Sequence, residues 1–267
     1  MASNRIKLAV NGACGRMGHM VLQAALEDGG FEIVAAVESP ECPLIGADAG
    51  TAVGLKKLGV KVAEKLSEGA DVLVDFSAPQ ASLARLTECL KTGTAMVVAT
   101  TGFTPDQMHA IHSAAEVIPV LHSANMSLGV NYLMDLVAQA ARTLGENYDV
   151  EIVEVHHRHK KDAPSGTSLA LGRAVAEARG VSLDQKGVHG RKGIVGPRTE
   201  GEIGFHAVRG GDVVGDHTVI FAGPGERIEF VHRATSRETF ARGALRAARF
   251  LAKKPAGFYT MKEVLGL

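Results

Sequence analysis

The 267-residue sequence contains no tryptophan and only three tyrosines, and aromatic residues make up 4% of it. That scarcity excludes the stacking platform on which single-stranded nucleic acid is usually held. Net charge is also lacking: 29 basic and 29 acidic side chains cancel. No bulk field therefore draws the chain to nucleic acid or to an anionic membrane surface. Its cysteines, Cys14, Cys42 and Cys89, are odd in number and widely separated, with no metal-type pairing. This suits a reducing compartment and not a disulfide framework. No apolar run approaches the roughly 20 residues of a membrane span, and residues 1–7 lack the apolar centre of a secretory signal. The expectation is a cytoplasmic protein with neither membrane nor nucleic acid among its partners.

What is abundant is glycine, with 31 residues, and short apolar runs, in a chain that is 46% hydrophobic. Its length suits one large α/β domain or two modest ones. Residues 6–10, 31–37, 71–76, 95–99 and 117–121 read as strands, with helical patterns at 20–27, 79–91 and 105–115 between them. Strands apolar throughout and separated by helices predict a Rossmann-type, doubly wound parallel sheet covered on both faces. At Ser127-Leu128-Gly129-Val130 the pattern changes: a helix over 131–144 leads into a strand over 150–155. From 187 to 230 extended segments alternate with glycine turns, which predicts an inserted α+β domain with a mostly antiparallel sheet. A last helix is expected from Thr235, four-residue capping-box spacing placing Glu238 at its third position, to about residue 254. The division expected is 1–127, completed by 236–267, for a dinucleotide, and 128–235 for substrate and oligomerisation. The two crossings between them, at 127–130 and 235–236, are expected to act as hinges.

Gly12-Ala13-Cys14-Gly15-Arg16-Met17-Gly18 follows the first strand and opens a helix. Glycines there let the backbone approach a pyrophosphate, and the helix N-terminus offers N–H groups and partial positive charge. Glu38 ends the second strand about twenty residues on, where an acid can bind the adenosine ribose. Ser39 follows it, in the place where an arginine would hold the 2′-phosphate of NADP. An uncharged serine predicts that NADH serves at least as well as NADPH. Ala99-Thr100-Thr101-Gly102 and Ser123-Ala124-Asn125-Met126 lie at the ends of two further strands, where small polar groups could line the nicotinamide and its ribose or merely cap a loop.

The run His156-His157-Arg158-His159-Lys160-Lys161-Asp162-Ala163-Pro164-Ser165-Gly166-Thr167 crowds six cationic or titratable side chains together. Self-repulsion gives folding no reason to do this, whereas an anionic substrate that needs proton transfer gives one. The Ser165-Gly166-Thr167 helix start favours a carboxylate through its dipole. Lys160, among cations and imidazoles, is expected to release a proton more readily than a free lysine. A zinc site is the competing reading, but His156 and His157 are adjacent on a strand and point to opposite faces, with no further ligand at metal spacing. No metal is expected.

These residues resemble the 4-hydroxy-tetrahydrodipicolinate reductase (dihydrodipicolinate reductase) family. The resemblance rests on Gly12 to Gly18, Asp75-Phe76-Ser77, Thr100-Thr101-Gly102-Phe103, Ala124-Asn125 with Ser127 and Gly129, and Glu154 to Thr167, in the family's order. It implies NAD(P)H-dependent reduction of a cyclic imine dicarboxylate at C4, with loss of the 4-hydroxyl as water, in the diaminopimelate route of lysine biosynthesis. It further implies that His156 donates and accepts a proton and that Lys160 donates one. His157, Gly166 and Thr167 would bind substrate. Gly12, Ala13, Cys14, Gly15, Arg16, Met17, Glu38, Ala99, Thr100, Thr101, Ser123, Ala124, Asn125 and Met126 would contact the dinucleotide. A homotetramer built on the substrate-domain sheets is implied too. Ser39 departs from members with arginine there, and Ala99 from members with glycine. The alternatives are another two-domain dehydrogenase, which leaves the histidine-rich run unexplained, and a non-catalytic NAD-sensing module, which leaves its proton donors idle.

Overall fold

The computed structural model describes residues 5–267. The chain runs β1 (Ile6–Asn11), α1 (Arg16–Asp28), β2 (Phe31–Val37), α2 (Ala49–Ala52), β3 (Val62–Ala63), β4 (Val72–Asp75), α3 (Pro79–Thr92), β5 (Ala95–Val98), α4 (Pro105–Ala114) and β6 (Pro119–His122). There follow α5 (Leu128–Leu144), β7 (Asp149–His156), α6 (Gly166–Arg179), α7 (Leu183–Lys186), β8 (Gly187–His189), β9 (Ile203–Arg209), β10 (Gly215–Gly223) and β11 (Glu226–Ala234). The chain ends in α8 (Glu238–Leu251), β12 (Gly257–Tyr259) and α9 (Met261–Leu265). Two compact units result: the described residues up to Leu128 with Arg237–Leu267, and Gly129–Ser236.

The first unit is a seven-stranded sheet in the order β12-β6-β5-β4-β1-β2-β3, parallel at every pairing. Its strands are apolar at consecutive positions because both faces are covered. Leu8, Val10, Val72, Val74 and Val97 pack with Val21 and Leu22 of α1 and Ala244, Leu245 and Leu251 of α8. Ala9, Leu73, Met96, Val98 and Val120 pack on the other side with Leu86 and Cys89 of α3 and Ile111 of α4. Elements of two to four residues, α2, β3 and β12, escaped the sequence pattern because they are shorter than any period it could show. The last helix begins at Glu238 and not Thr235, without a side-chain cap. The reason is that β11 stays extended to Ala234, paired with Gly215, so the backbone at Thr235 has only left the sheet.

The second unit has a five-stranded sheet in the order β11-β10-β7-β9-β8. It is mixed. β10 runs antiparallel to both β11 and β7, but β9 runs parallel to β7 and β8 to β9. The mostly antiparallel sheet expected from the glycine-rich segments is present in the long β7, β10 and β11 ladders, while α6 carries the chain back after β7 so that β8 and β9 join parallel. Gly225, at φ +81°, serves the β10–β11 hairpin. One sheet face packs Ile152, Ile203, Val219 and Phe221 against Leu133 and Val137 of α5 and Leu171 and Val175 of α6. The other face carries Val153, Val155 and Ile220, half-buried, and Val208 and Val231, exposed.

Candidate functional site

In the first unit the loop after β1 turns at Gly12, φ +73°. The Gly12 and Ala13 amides donate to the Val37 carbonyl at 2.9 and 3.2 Å, which ties the loop to the end of β2. A Cβ on Gly12 would lie 2.9 Å from the Phe76 carbonyl, and one on Gly18 would lie 2.1 Å from the Gly12 carbonyl. These two glycines are therefore required by close backbone approach. Gly15 meets far less, is exposed and precedes α1, whose first turn holds no acid and no side-chain cap. Arg16 is exposed beside it and Met17 is half-buried, packed against the core. The Glu38 carboxylate accepts from the Cys14 amide at 3.0 Å and the Ser39 amide at 3.1 Å, so it faces the loop as a ribose-binding acid would. Burial, the neighbouring Cys42 thiol and Glu38 push the Cys14 thiol up to about 12, which makes it an uncharged small side chain at neutral pH.

The two further loops close the same carboxyl edge of the sheet. Asp75, at the end of β4 and without exposed surface, accepts hydrogen bonds from Asn11 Nδ2 (2.7 Å), Ser77 Oγ (2.6 Å), Thr100 Oγ1 (2.9 Å) and the Ser82 hydroxyl. Thr100 also accepts from the Ser77 amide at 3.0 Å. Its side chain is thus committed inward, Ala99 is buried, and Thr101 is the exposed member. Ser123 Oγ donates to the Asn125 carbonyl at 2.8 Å, and Asn125 Oδ1 accepts from the Ser127 amide at 2.9 Å. Ala124 is exposed, whereas Met126 is 1% exposed and packs into the core. The Met126 side chain is thereby withdrawn from any ligand, and only its backbone remains for one.

In the second unit the end of β7 presents His156, 8% exposed, and His157. The His156 Nδ1 contacts the Glu154 carboxylate, one strand period away on the same face. Arg209 binds that carboxylate with both terminal nitrogens, at 2.8 and 2.7 Å, and the Ser165 amide donates to it at 3.1 Å. Burial pushes the Glu154 carboxyl up, but hydrogen bonds from Arg209 and His156 outweigh it and hold the group below the usual carboxylate range. Burial, helped by Lys160 and Arg209, lowers His156 despite Glu154. The ring of His217, 5.1 Å from that of His156, donates to or accepts from Ser165 Oγ at 3.0 Å through Nε2. Burial, with His156 adding to it, lowers His217 to about 4.

Past β7 the chain turns sharply, and the Lys160 amide donates to the His157 carbonyl at 3.1 Å. Lys160 Nζ bonds both Asp162 oxygens at 2.8 and 2.9 Å. The cationic crowding expected from the sequence is thus answered by a carboxylate within the same loop. His157 Nδ1 is buried and has no hydrogen-bond partner among the described residues. Ser165 caps α6, accepting from the Ser168 amide at 3.1 Å, so Gly166 and Thr167 form the first turn, which holds no acid. Among the described residues no cluster of histidine, cysteine or carboxylate side chains could hold a metal ion. No helix among them is long and apolar enough to cross a membrane.

The structure therefore gathers the glycine loop, Glu38 and the loops at 99–101 and 123–126 on one sheet edge of the first unit. It gathers His156, His157, Lys160, Gly166 and Thr167 at the end of one strand in the second. Sequence pattern alone does not single out Asp75, Glu154, Arg209 or His217 for the candidate site. Glu154 stands two positions before His156, a period-two signal that puts both on one face of the strand. Arg209 and His217 are placed only by sheet register, opposite His156 and Glu154.

The chain matches the profile of the dihydrodipicolinate reductase N-terminus over residues 6–126 and that of the dihydrodipicolinate reductase C-terminus over residues 129–265. It is 50% identical over 264 residues to the 4-hydroxy-tetrahydrodipicolinate reductase of Anaeromyxobacter dehalogenans, covering 98% of each chain. It is 48% identical over 265 residues to that of Burkholderia multivorans, covering 98% of this chain and all of the relative. Among solved structures, a dipicolinate-bound dihydrodipicolinate reductase from Paenisporosarcina has the same fold, with a TM-score of 0.77 at 23% identity over 96% of this chain and 97% of that one.

Proposed function

The chain belongs to the dihydrodipicolinate reductase family, and we propose that it reduces 4-hydroxy-2,3,4,5-tetrahydrodipicolinate to 2,3,4,5-tetrahydrodipicolinate, releasing water, in the diaminopimelate route to lysine. The observation that carries this reading is the assembly, at the end of β7, of His156, His157 and Lys160 beside the N-terminus of α6. A dicarboxylate that must gain a proton needs cations, a proton donor and N–H groups together.

The residues present fit a nicotinamide dinucleotide. The glycine loop has no side chain to obstruct a pyrophosphate at Gly15, α1 begins without an acid, and Glu38 faces the loop. Gly12 to Met17 and Glu38 would hold the adenosine and pyrophosphate half. The backbone of 99–101 and of 123–126 would hold the other half. When bound, the reduced cofactor supplies the hydride that C4 of the substrate receives. Lys160 delivers the proton with which the 4-hydroxyl leaves as water, and His156 exchanges a proton with the substrate. His157 and the first turn of α6, Gly166 and Thr167, hold a substrate carboxylate. Ser39 offers no cation to a 2′-phosphate, so NADH serves at least as well as NADPH.

Val208 and Val231, exposed among charged neighbours on the open face of the second sheet, support a homotetramer assembled through these sheets, and the odd, widely separated cysteines support a cytoplasmic enzyme. The reaction is tested by following NADH absorbance with substrate generated in situ from pyruvate and aspartate semialdehyde by dihydrodipicolinate synthase. Oxidation of NADH is expected. Binding of NADH without its oxidation in that mixture would instead identify a sensing module. Sedimentation velocity tests the assembly, and a monomer at micromolar concentration would reject it.

A further inference from the structure

We propose that Glu154 is a positioning residue for the reaction proposed above: its carboxylate holds His156 as the tautomer protonated on Nδ1, leaving Nε2 to exchange the proton, while Arg209 shares the carboxylate's charge. The inference rests on the role given to His156.

The geometry admits one proton arrangement. An ionised carboxylate only accepts hydrogen bonds, so the His156 nitrogen that contacts Glu154 must carry the hydrogen. The carboxylate is ionised because Arg209 binds it through two nitrogens and the Ser165 amide donates to it. Its side chain is 1% exposed, so no water competes for these bonds. At the far edge of the ring Nε2 lies beside Gly215, where a Cβ would come within 2.9 Å of it. A glycine at that place keeps Nε2 approachable.

The same carboxylate fixes more than the ring. Through the Ser165 amide it anchors the residue that caps α6, and hence the turn of Gly166 and Thr167. Arg209, held by Glu154, also donates to the Asp162 carbonyl at 2.7 Å and so braces the loop that carries Lys160. One buried group thereby sets the orientation of three parts of the site. Charged and titratable groups facing His156 are Glu154 from its own strand, Lys160 from the following loop, Arg209 from β9 and His217 from β10. From α6 the neighbour is the uncharged cap Ser165. Glu154 stabilises the imidazolium and Arg209 opposes it, so the two residues act on His156 with opposite signs.

That opposition gives a test which scaffolding alone would not pass. In Glu154→Gln, kcat should fall about 10- to 100-fold, the scale seen when the carboxylate partner that orients a metal-bound histidine is removed. The dissociation constant of NADH should stay within about twofold, since Glu154 belongs to the other unit. The limb of the pH profile that reports His156 should move to lower pH by about one unit or more, and in Arg209→Met it should move to higher pH. Limbs that move together, or not at all, in folded variants overturn the proposal. Nitrogen NMR of the wild-type chain decides it even if both variants fail to fold: Nδ1 protonation of His156 is expected, and a proton on Nε2 at neutral pH rejects it. Absence of turnover in the wild-type chain would strike the reading of the reaction, whereas Nε2 protonation in an active chain strikes this inference alone.

Discussion

Thr100 Oγ1 donates a 2.9 Å hydrogen bond to Asp75 Oδ2, joining the ends of two adjacent parallel strands through a carboxylate that has no exposed surface. The hydroxyl at 100 serves the scaffold, and the neighbouring exposed Thr101 is the residue whose side chain can meet a ligand.

Thr100→Val keeps the shape and removes one donor from a buried carboxylate, which costs about 1–3 kcal/mol. Denaturant unfolding should show that loss, and Thr101→Val should show almost none. The roles reverse in binding, where Thr101→Val weakens NADH more than its stability change accounts for. Equal stabilities for the two variants would undo this division.

Gly18→Ala and Gly15→Ala separate packing from cofactor contact. A methyl at 18 would lie 2.1 Å from the Gly12 carbonyl and 2.7 Å from the Ala13 Cα, so α1 must retreat from the loop. A cost of about 1–3 kcal/mol and weaker NADH binding are expected together. At 15 the nearest atom, the Gly12 carbonyl oxygen, is 3.2 Å away, close enough to need only a small shift, so Gly15→Ala should cost less stability than Gly18→Ala while losing NADH affinity. Titration by NADH fluorescence and a thermal melt of each variant decide this.

His217 should make the protein acid-sensitive. Burial lowers its folded-state value to about 4 from an ordinary 6.5, so the unfolded chain binds the proton more readily. Stability from this group is complete above pH 6.5 and is lost as pH falls towards 4. The loss amounts to about 3 kcal/mol, at 1.36 kcal/mol per unit. Urea midpoints measured from pH 7 to pH 4 should fall less steeply in His217→Gln, and an unchanged slope would count against a neutral buried imidazole.

Lys160→Ala is expected to lower kcat by about 10²–10⁴-fold, the range for a positioned proton donor. His156→Ala should lower it similarly, and NADH affinity should barely change in either. Near-normal turnover in a variant would withdraw the proton-transfer role of that residue.

Ser39→Arg should move cofactor preference towards NADPH. A charge-assisted hydrogen bond to phosphate contributes about 1.5–3 kcal/mol, which is roughly 10- to 100-fold in the ratio of kcat/KM for NADPH over NADH. A constant ratio would show that Ser39 does not face the ribose.

The residues themselves determined a great deal about this protein. Consecutive apolar positions in β1, β4 and β5 announced strands buried on both faces, and glycines at 12 and 18 announced a tight turn into a helix. The crowding of charge from His156 to Lys161 marked a candidate site, because folding does not collect like charges unprompted. Tertiary structure decided what those local signals do not encode. Glycine turns announced the antiparallel ladders of β10, but the parallel entry of β8 and β9 depended on where α6 and residues 190–202 returned the chain. Thr235 and Glu238 had capping spacing, but β11 stays paired as far as Ala234, opposite Gly215, and the helix begins only at Glu238. Lys160 found Asp162, and His156 found Glu154 and an arginine 53 positions further along, because hydrogen bonding and charge act through space while sequence records only order.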